Sequence, residues 1–435
     1  MFNTDFYALK MAGTLIQMNH DPWCVMELHV RESAGEPRYW VAAGLDDCIR
    51  GLVDFEVRGE EFEASADLLA KTHGVDVSGL EGLRPQVSVN CVQEGTILFP
   101  PEPALRLAGP LSHLMLVESY LLGVVRRFSY AATAALRIVR AAGGRPVSDY
   151  SLRRANSIDH AYACTYGAAI AGFSSTSNVA ASARLPIPLS GTMSHAFVLS
   201  FPSEYEAFSA YARADYGPLT LLIDTYDTLG GARTATSMYR GDATRQFSVR
   251  IDSGDLVAMV PQVIELFERE APDVKVLVSG GLDDEQIRSV VKAAPDVDGF
   301  GVGTFLASPT FAFDLVLKLV QVEGMPVMKH SIGKESLPGV KEVYRMKEFD
   351  LLALRDANEA IPAQAVKLMR PAMSVGVSHI SPASVDATAD YVARQNDEML
   401  PGAEGSQWRR SVHNSYWLDR AIEDLVGIRR RSEEI

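Results

Sequence analysis

Between residues 146 and 302 the chain repeats one unit, a short apolar run followed by a polar or glycine-rich loop and often a helix-forming stretch. Strands are expected at 146–150, 168–173, 187–190, 219–225, 247–251, 274–279 and 299–302. Helices are expected between many of them, for example at 179–184, 204–216 and 256–270. Repeated βα units of this length require a parallel sheet, because a strand can rejoin its neighbour in parallel only through a crossover. This many units point to an irregular or incomplete (β/α) barrel, with a doubly wound open sheet as the alternative α/β arrangement.

The flanking sequence is different in kind. Residues 1–110 mix three helical patterns, at 4–12, 45–53 and 61–71, with short alternating strands, which reads as an α+β domain. A long apolar helix is expected over 110–142, ended by Gly143-Gly144. After residue 325 the pattern loosens, with strands expected near 327–331 and 343–347. A charged C-terminal region ends in Arg429-Arg430-Arg431, expected to be a solvated helix end. The expected domains are therefore 1–110, 111–325 and 326–435, the last packing near the others.

The polar residues gather after the strands, where barrel enzymes build their chemistry. Tyr150-Ser151-Leu152-Arg153-Arg154 follows the first strand, and Thr176-Ser177-Asn178 closes the loop after the second. Gly191-Thr192-Met193-Ser194-His195, Asp224-Thr225-Tyr226-Asp227 and Arg250-Ile251-Asp252-Ser253-Gly254-Asp255 follow or end the next three. Gly280-Gly281 and Gly301-Val302-Gly303 come last. Glycine loops entering helices late in a barrel suit a phosphate, since backbone amides and helix N-termini face the anion. Arg153, Arg154 and Arg250 supply forked donors for phosphate or carboxylate. Asp252 suits a sugar diol or a Mg²⁺ ion, or simply a helix cap, and Tyr150 or Tyr7 suits a flat ring or the core. Taken together, these residues suggest a phosphate-bearing ribose meeting a planar base.

The formal charge of −14, from 41 basic and 55 acidic residues, argues against non-specific nucleic-acid binding but not against local phosphate sites. Cys24, Cys48, Cys91 and Cys164 are widely spaced with no CxxC pair, so buried thiols are expected rather than a zinc site or disulfides. No basic region followed by an apolar run opens the sequence, and no apolar run reaches membrane-spanning length, so a cytoplasmic enzyme is expected.

Over most of its length the sequence resembles the nicotinate phosphoribosyltransferase family. The resemblance rests on Thr4-Asp5-Phe6-Tyr7, Leu152-Arg153-Arg154-Ala155, Thr176-Ser177-Asn178-Val179, Gly191-Thr192 with His195, and Asp224-Thr225-Tyr226-Asp227-Thr228-Leu229. It continues in Val249-Arg250-Ile251-Asp252-Ser253-Gly254-Asp255, Phe300-Gly301-Val302-Gly303-Thr304 and Ser336-Leu337-Pro338-Gly339. It implies that nicotinate and phosphoribosyl pyrophosphate are joined to give nicotinate mononucleotide and pyrophosphate, with Mg²⁺ and with ATP hydrolysis coupled through a phosphohistidine at His195. It further implies pyridine stacking by Tyr150 and by Tyr7 of a neighbouring subunit in a homodimer. Arg153 and Arg250 would meet phosphate and carboxylate, Asp252 the ribose, and Gly280, Gly281, Gly301 and Gly303 the 5′-phosphate. Thr176 and Asp224 belong to the same substrate-binding set.

Ser177 bears on selectivity. Related nicotinamide-using enzymes carry Asp there, and a carboxylate substrate would be repelled by Asp but can accept a bond from Ser. The chain departs from the family pattern at Ser151 and Ser175, each standing where Gly is usual and expected to put a side chain near the pocket. A transferase for nicotinamide or quinolinate is the nearest alternative, and a non-catalytic binding homologue is another. The latter should have lost His195, Arg250 or Asp252, and all three are present.

Overall fold

A computed structural model describes residues 4–31, 39–214, 217–239, 246–312, 314–329, 336–347, 349–355 and 361–400, with the backbone of 411–413. The chain forms two compact units, one of residues 1–129, 311–384 and 394–435, the other of 130–310 and 385–393.

The first unit is built on an antiparallel sheet. Strand Trp23–Val30 lies between Leu315–Val322 and Pro103–Pro110, and the latter leads on to Ser88–Cys91 and Arg370–Ser374. The division into three consecutive domains is corrected here. Leu315–Val322, expected in the barrel, and Arg370–Ser374, expected in a separate C-terminal region, both pair into the N-terminal sheet. Pairing between strands from opposite ends of a chain leaves no trace in local periodicity. Beneath the sheet, buried Arg106 donates from Nε to Glu27 (3.0 Å) and from Nη1 to Glu342 (3.2 Å). Buried Lys341 pairs with Glu27 (2.9 Å) and donates to the Leu337 and Gly339 carbonyls, fixing the Ser336-Leu337-Pro338-Gly339 turn. Truncating one member would strand the others as uncompensated buried charge.

The helix expected over 110–142 is Leu111–Ala142, and it stops where Gly143 and Gly144 take positive φ. In the second unit six strands form a parallel sheet: β1 Val147–Asp149, β2 Ser175–Thr176, β3 Leu219–Leu222, β4 Phe247–Ile251, β5 Lys275–Val278 and β6 Gly299–Val302. Their spatial order is β2-β1-β6-β5-β4-β3, so the first and last strands are neighbours and the rest follow in sequence. That order is a barrel opened between β2 and β3, which favours the incomplete barrel over a doubly wound sheet. Val147, Leu221, Val249, Ile251, Val276, Val278, Phe300 and Val302 are buried, as strands covered on both faces require.

Two expected strands take another form. Residues 168–171 finish helix Ile158–Ala171, which Ser157 caps at its start and Gly172, at φ +95°, ends. Alanine-rich apolar runs are good helix formers, and a run this short fits either element by pattern alone. Residues 187–190 make only one parallel bridge, Leu189 to Thr176, because Pro186 and Pro188 lack the N–H a ladder needs. The strand expected at 327–331 is absent from 327–329, and 330–331 lie outside the described residues, as does Arg429-Arg430-Arg431. All four cysteines are buried free thiols.

Candidate active site

The side chains at the C-terminal ends of β3, β4 and β5 meet around His195. This residue opens helix His195–Leu199, and the Ser194 hydroxyl caps that helix by accepting from the Phe197 N–H (3.3 Å). The His195 ring is fixed at Nδ1, 3.2 Å from the Thr225 hydroxyl. Its Nε2 faces two carboxylates, lying 3.9 Å from Asp224 Oδ1 and 3.9 Å from Asp252 Oδ2. Both distances exceed hydrogen-bond length, so neither carboxylate closes off that nitrogen. The ring is 38% exposed, leaving Nε2 open to an incoming group.

The two carboxylates are held from behind. Asp224 is almost wholly buried, and its Oδ2 accepts the Asp252 N–H (3.0 Å) and the Ser253 hydroxyl. Its Oδ1 is buried without a hydrogen-bond partner among the described residues. Asp252 Oδ1 accepts the Ser279 hydroxyl (2.6 Å), leaving Oδ2 toward His195. Arg250 donates from Nη1 to the Thr192 hydroxyl and from Nη2 to the Met193 carbonyl (3.4 Å), which ties the Gly-Thr turn to β4. Its Nε is buried with no acceptor among the described residues. The guanidinium carbon lies 6.0 Å from the centre of the Tyr150 ring, at the outer limit of a cation–π contact.

Glycines give this arrangement its shape. A Cβ on Gly301 would overlap the Tyr150 ring, and one on Gly303 would crowd the Tyr150 carbonyl. Both glycines therefore seat Tyr150, a reason apart from phosphate binding. Gly280 has φ +95°, and a Cβ there would overlap the Asp252 carbonyl, whereas Gly281 faces open space. Replacing Gly280 with alanine is expected to cost about 2–5 kcal/mol, from the disfavoured backbone and the overlap together. Denaturant unfolding measures that loss, and an unchanged midpoint would contradict this packing.

Glu204, the first residue of helix Glu204–Ala214, went unnoticed in the sequence because an acidic residue opening a helix is commonplace. One of its carboxylate oxygens is buried without a hydrogen-bond partner among the described residues. Burial, with Asp224 and Asp227 adding like charge, pushes its carboxyl up to about 7 from 4.5. A carboxyl raised in the folded state favours the fold while protonated, so its contribution is complete below pH 4.5 and lost as pH rises through about 7. Glu204→Gln stays neutral and should raise the melting temperature over the parent near pH 8 but not near pH 5. Thermal unfolding at both values checks this.

Sequence comparisons place the chain among known proteins. Residues 2–126 match the N-terminal domain of nicotinate phosphoribosyltransferase, and residues 146–353 match the nicotinate phosphoribosyltransferase (NAPRTase) family. The chain belongs to the nicotinate phosphoribosyltransferase family. The nicotinate phosphoribosyltransferase pncB2 of Mycobacterium tuberculosis is 34% identical over 436 residues, covering 98% of this chain and 93% of its own. The Bacillus subtilis nicotinate phosphoribosyltransferase is 34% identical over 374 residues, covering 81% of this chain and 76% of its own. The crystal structure of human nicotinic acid phosphoribosyltransferase superposes with a TM-score of 0.81 at 25% identity, covering 97% of this chain and 99% of that one.

Within this member of the family the expected residues divide. His195, Asp224, Arg250, Asp252 and Tyr150 come together in the second unit, with Gly280, Gly301 and Gly303 packed directly against them. Arg153 is exposed in the single turn Leu152–Arg154 beside Tyr150. Tyr7 lies in the first unit, about half exposed on helix Phe6–Gln17. Thr176 differs from expectation. Its side chain is fully buried and its hydroxyl donates inward to Asp149 (2.7 Å), leaving Ser177 as the partly exposed member of that pair. Ser151 and Ser175 also turn away from the pocket. Ser151 is wholly buried beside the Cys164 thiol, and the Ser175 hydroxyl pairs with that of Ser148 (2.8 Å) on β1.

Proposed function

We propose that this enzyme transfers the phosphoribosyl group of phosphoribosyl pyrophosphate to the ring nitrogen of nicotinate, releasing pyrophosphate and giving nicotinate mononucleotide in NAD salvage. The observation that carries this reading is the convergence of Asp224, Asp252 and Arg250 around an open, oriented His195.

Bond formation at the anomeric carbon passes through an oxocarbenium-like state as pyrophosphate departs. Asp252, anchored by Ser279, is set to hold the ribose hydroxyls, and Arg250, with its unpartnered Nε, to meet the departing charge. Tyr150 supplies a flat face for the pyridine, and the backbone at Gly280, Gly281, Gly301 and Gly303 receives the 5′-phosphate. Arg153 is the exposed donor for the substrate's phosphate or carboxylate.

ATP hydrolysis is coupled through His195. With Nδ1 occupied by Thr225, Nε2 is the nitrogen that accepts a phosphoryl group, and later loss of that group to water drives product release. For magnesium the donor chemistry fits, since Asp224 Oδ1 and Asp252 Oδ2 are hard oxygens facing one space and the former has no partner. Among the described residues no group of three or more His, Cys, Asp or Glu could hold a metal, so substrate phosphates or water would complete its shell. The bound ion would neutralise pyrophosphate charge.

A homodimer is proposed, with Tyr7 reaching a neighbouring subunit's site. The exposure of Phe6, Tyr7 and Met11 along one helix supports it. No helix among the described residues is long and apolar enough to cross a membrane, and a cytoplasmic location is proposed.

Nicotinate selectivity is assigned to Ser177. Product formation from nicotinate, nicotinamide and quinolinate, compared in parallel, tests the reading; preference for either of the latter two overturns it. Ser177→Asp is expected to lower kcat/KM for nicotinate about a hundredfold through like-charge repulsion while sparing nicotinamide.

A further inference from the structure

We propose that Asp149 is a positioning residue for the pyridine subsite, one buried carboxylate that sets Tyr150, Arg153 and Ser177 in register with one another. The inference rests on the nicotinate-transfer reading above.

Asp149 is the last residue of β1 and is wholly buried. Each of its acceptors holds a different piece of the pocket wall. Oδ1 accepts the Ser151 N–H (2.8 Å), which bends the chain past Tyr150 into the turn that carries Arg153. Oδ2 accepts the Thr165 hydroxyl (2.8 Å) and the Thr176 hydroxyl (2.7 Å). The Asp149 main-chain carbonyl accepts the Ser177 N–H (2.9 Å). Asn178 closes the network, donating its N–H to the Thr176 oxygen (3.0 Å) and its side-chain amide to the Thr165 oxygen (3.1 Å). These donors to Asp149 are all neutral, so among the described residues hydrogen bonds are what hold its carboxyl group in the interior. A core needs no such device, and apolar residues of the same volume would pack there at lower cost.

The network also has a direction. The Thr176 hydroxyl, which receives the Asn178 N–H, directs its proton to Asp149 Oδ2, whereas Thr165, which receives the Asn178 amide, has both Asp149 and the Ala161 carbonyl as acceptors. Asparagine at 149 has the same shape but presents one donor face. If that face meets the hydroxyls, Thr165 can redirect its proton to the Ala161 carbonyl (3.2 Å), but the Thr176 proton loses its acceptor. If it meets the Ser151 N–H instead, the turn toward Arg153 loosens. Either way the strand end moves, and with it Tyr150 and Ser177.

The test is steady-state kinetics with nicotinate and phosphoribosyl pyrophosphate, varied separately, on the full chain and on Asp149→Asn, Thr176→Val and Thr176→Ser. Asp149→Asn and Thr176→Val should each raise the KM for nicotinate about tenfold and leave that for phosphoribosyl pyrophosphate within about threefold. Thr176→Ser keeps the hydroxyl and should behave as the parent. An unchanged nicotinate KM in either folded variant, or both KM values rising together, overturns the positioning role. If Asp149→Asn does not fold, the Thr176→Val and Thr176→Ser pair decides on the same terms. If Thr176→Val also fails to fold, the network serves the core as a whole and the inference falls. A parent protein that does not use nicotinate at all defeats the functional reading instead, which separates the two failures.

Discussion

His195→Ala is expected to lose the stimulation of transfer by ATP while keeping a slow ATP-independent reaction. The ring is oriented by Thr225 at Nδ1, leaving Nε2 between Asp224 and Asp252 as the proposed nucleophile. Alanine removes that proposed nucleophile but none of the groups proposed to hold the ribose or the pyridine. At saturating ATP the rate should fall about a hundredfold, the scale for losing one group that acts on the reacting charge. Without ATP the variant and parent should differ little. His195 is 38% exposed, so the melting temperature should hardly move. Initial rates with and without ATP decide the matter, and undiminished stimulation in the variant would remove His195 from its role.

Arg250→Ala should be more damaging still, lowering kcat/KM by about a thousandfold with or without ATP. Three functions meet in this side chain. Its fork holds the Gly-Thr turn through Thr192 and Met193, its plane lies near Tyr150, and its buried Nε has no acceptor among the described residues. A buried donor left open is costly, and an anion arriving at the site relieves that cost. Lysine keeps the charge but not the fork, so Arg250→Lys should recover only part of the loss. The same kinetic comparison checks both variants, and a lysine enzyme equal to the parent would show that charge alone suffices.

What could be read ahead of the structure follows the range of the physics involved. Leu45–Val53 was legible from its apolar spacing, and Leu256–Glu270 from its spacing and its Asp255 cap, all of them local signals. So was the gathering of chemistry after the strands, since an Asp, Arg or His past a buried strand can sit only at the sheet's end. The helix that absorbed residues 168–171 was not legible, because alanine and isoleucine satisfy either element until Ser157 and Gly172 are seen as its caps. Side-chain direction was the least accessible feature. Ser151, Ser175 and Thr176 all follow or end short strands, yet each turns inward, while Ser177 alone stays partly exposed. Asp149 carried a faint signal, an acid closing a short strand just before a residue of interest. The shared sheet of residues 23–30 and 315–322 had none.

The central claim is transfer of a phosphoribosyl group to nicotinate, assisted by ATP. Its most direct test is to incubate the purified chain with nicotinate, phosphoribosyl pyrophosphate and Mg²⁺, with and without ATP, and to quantify nicotinate mononucleotide and pyrophosphate. Both products are expected in equal amounts, formed faster when ATP is present and consumed. Absence of nicotinate mononucleotide under both conditions would contradict it.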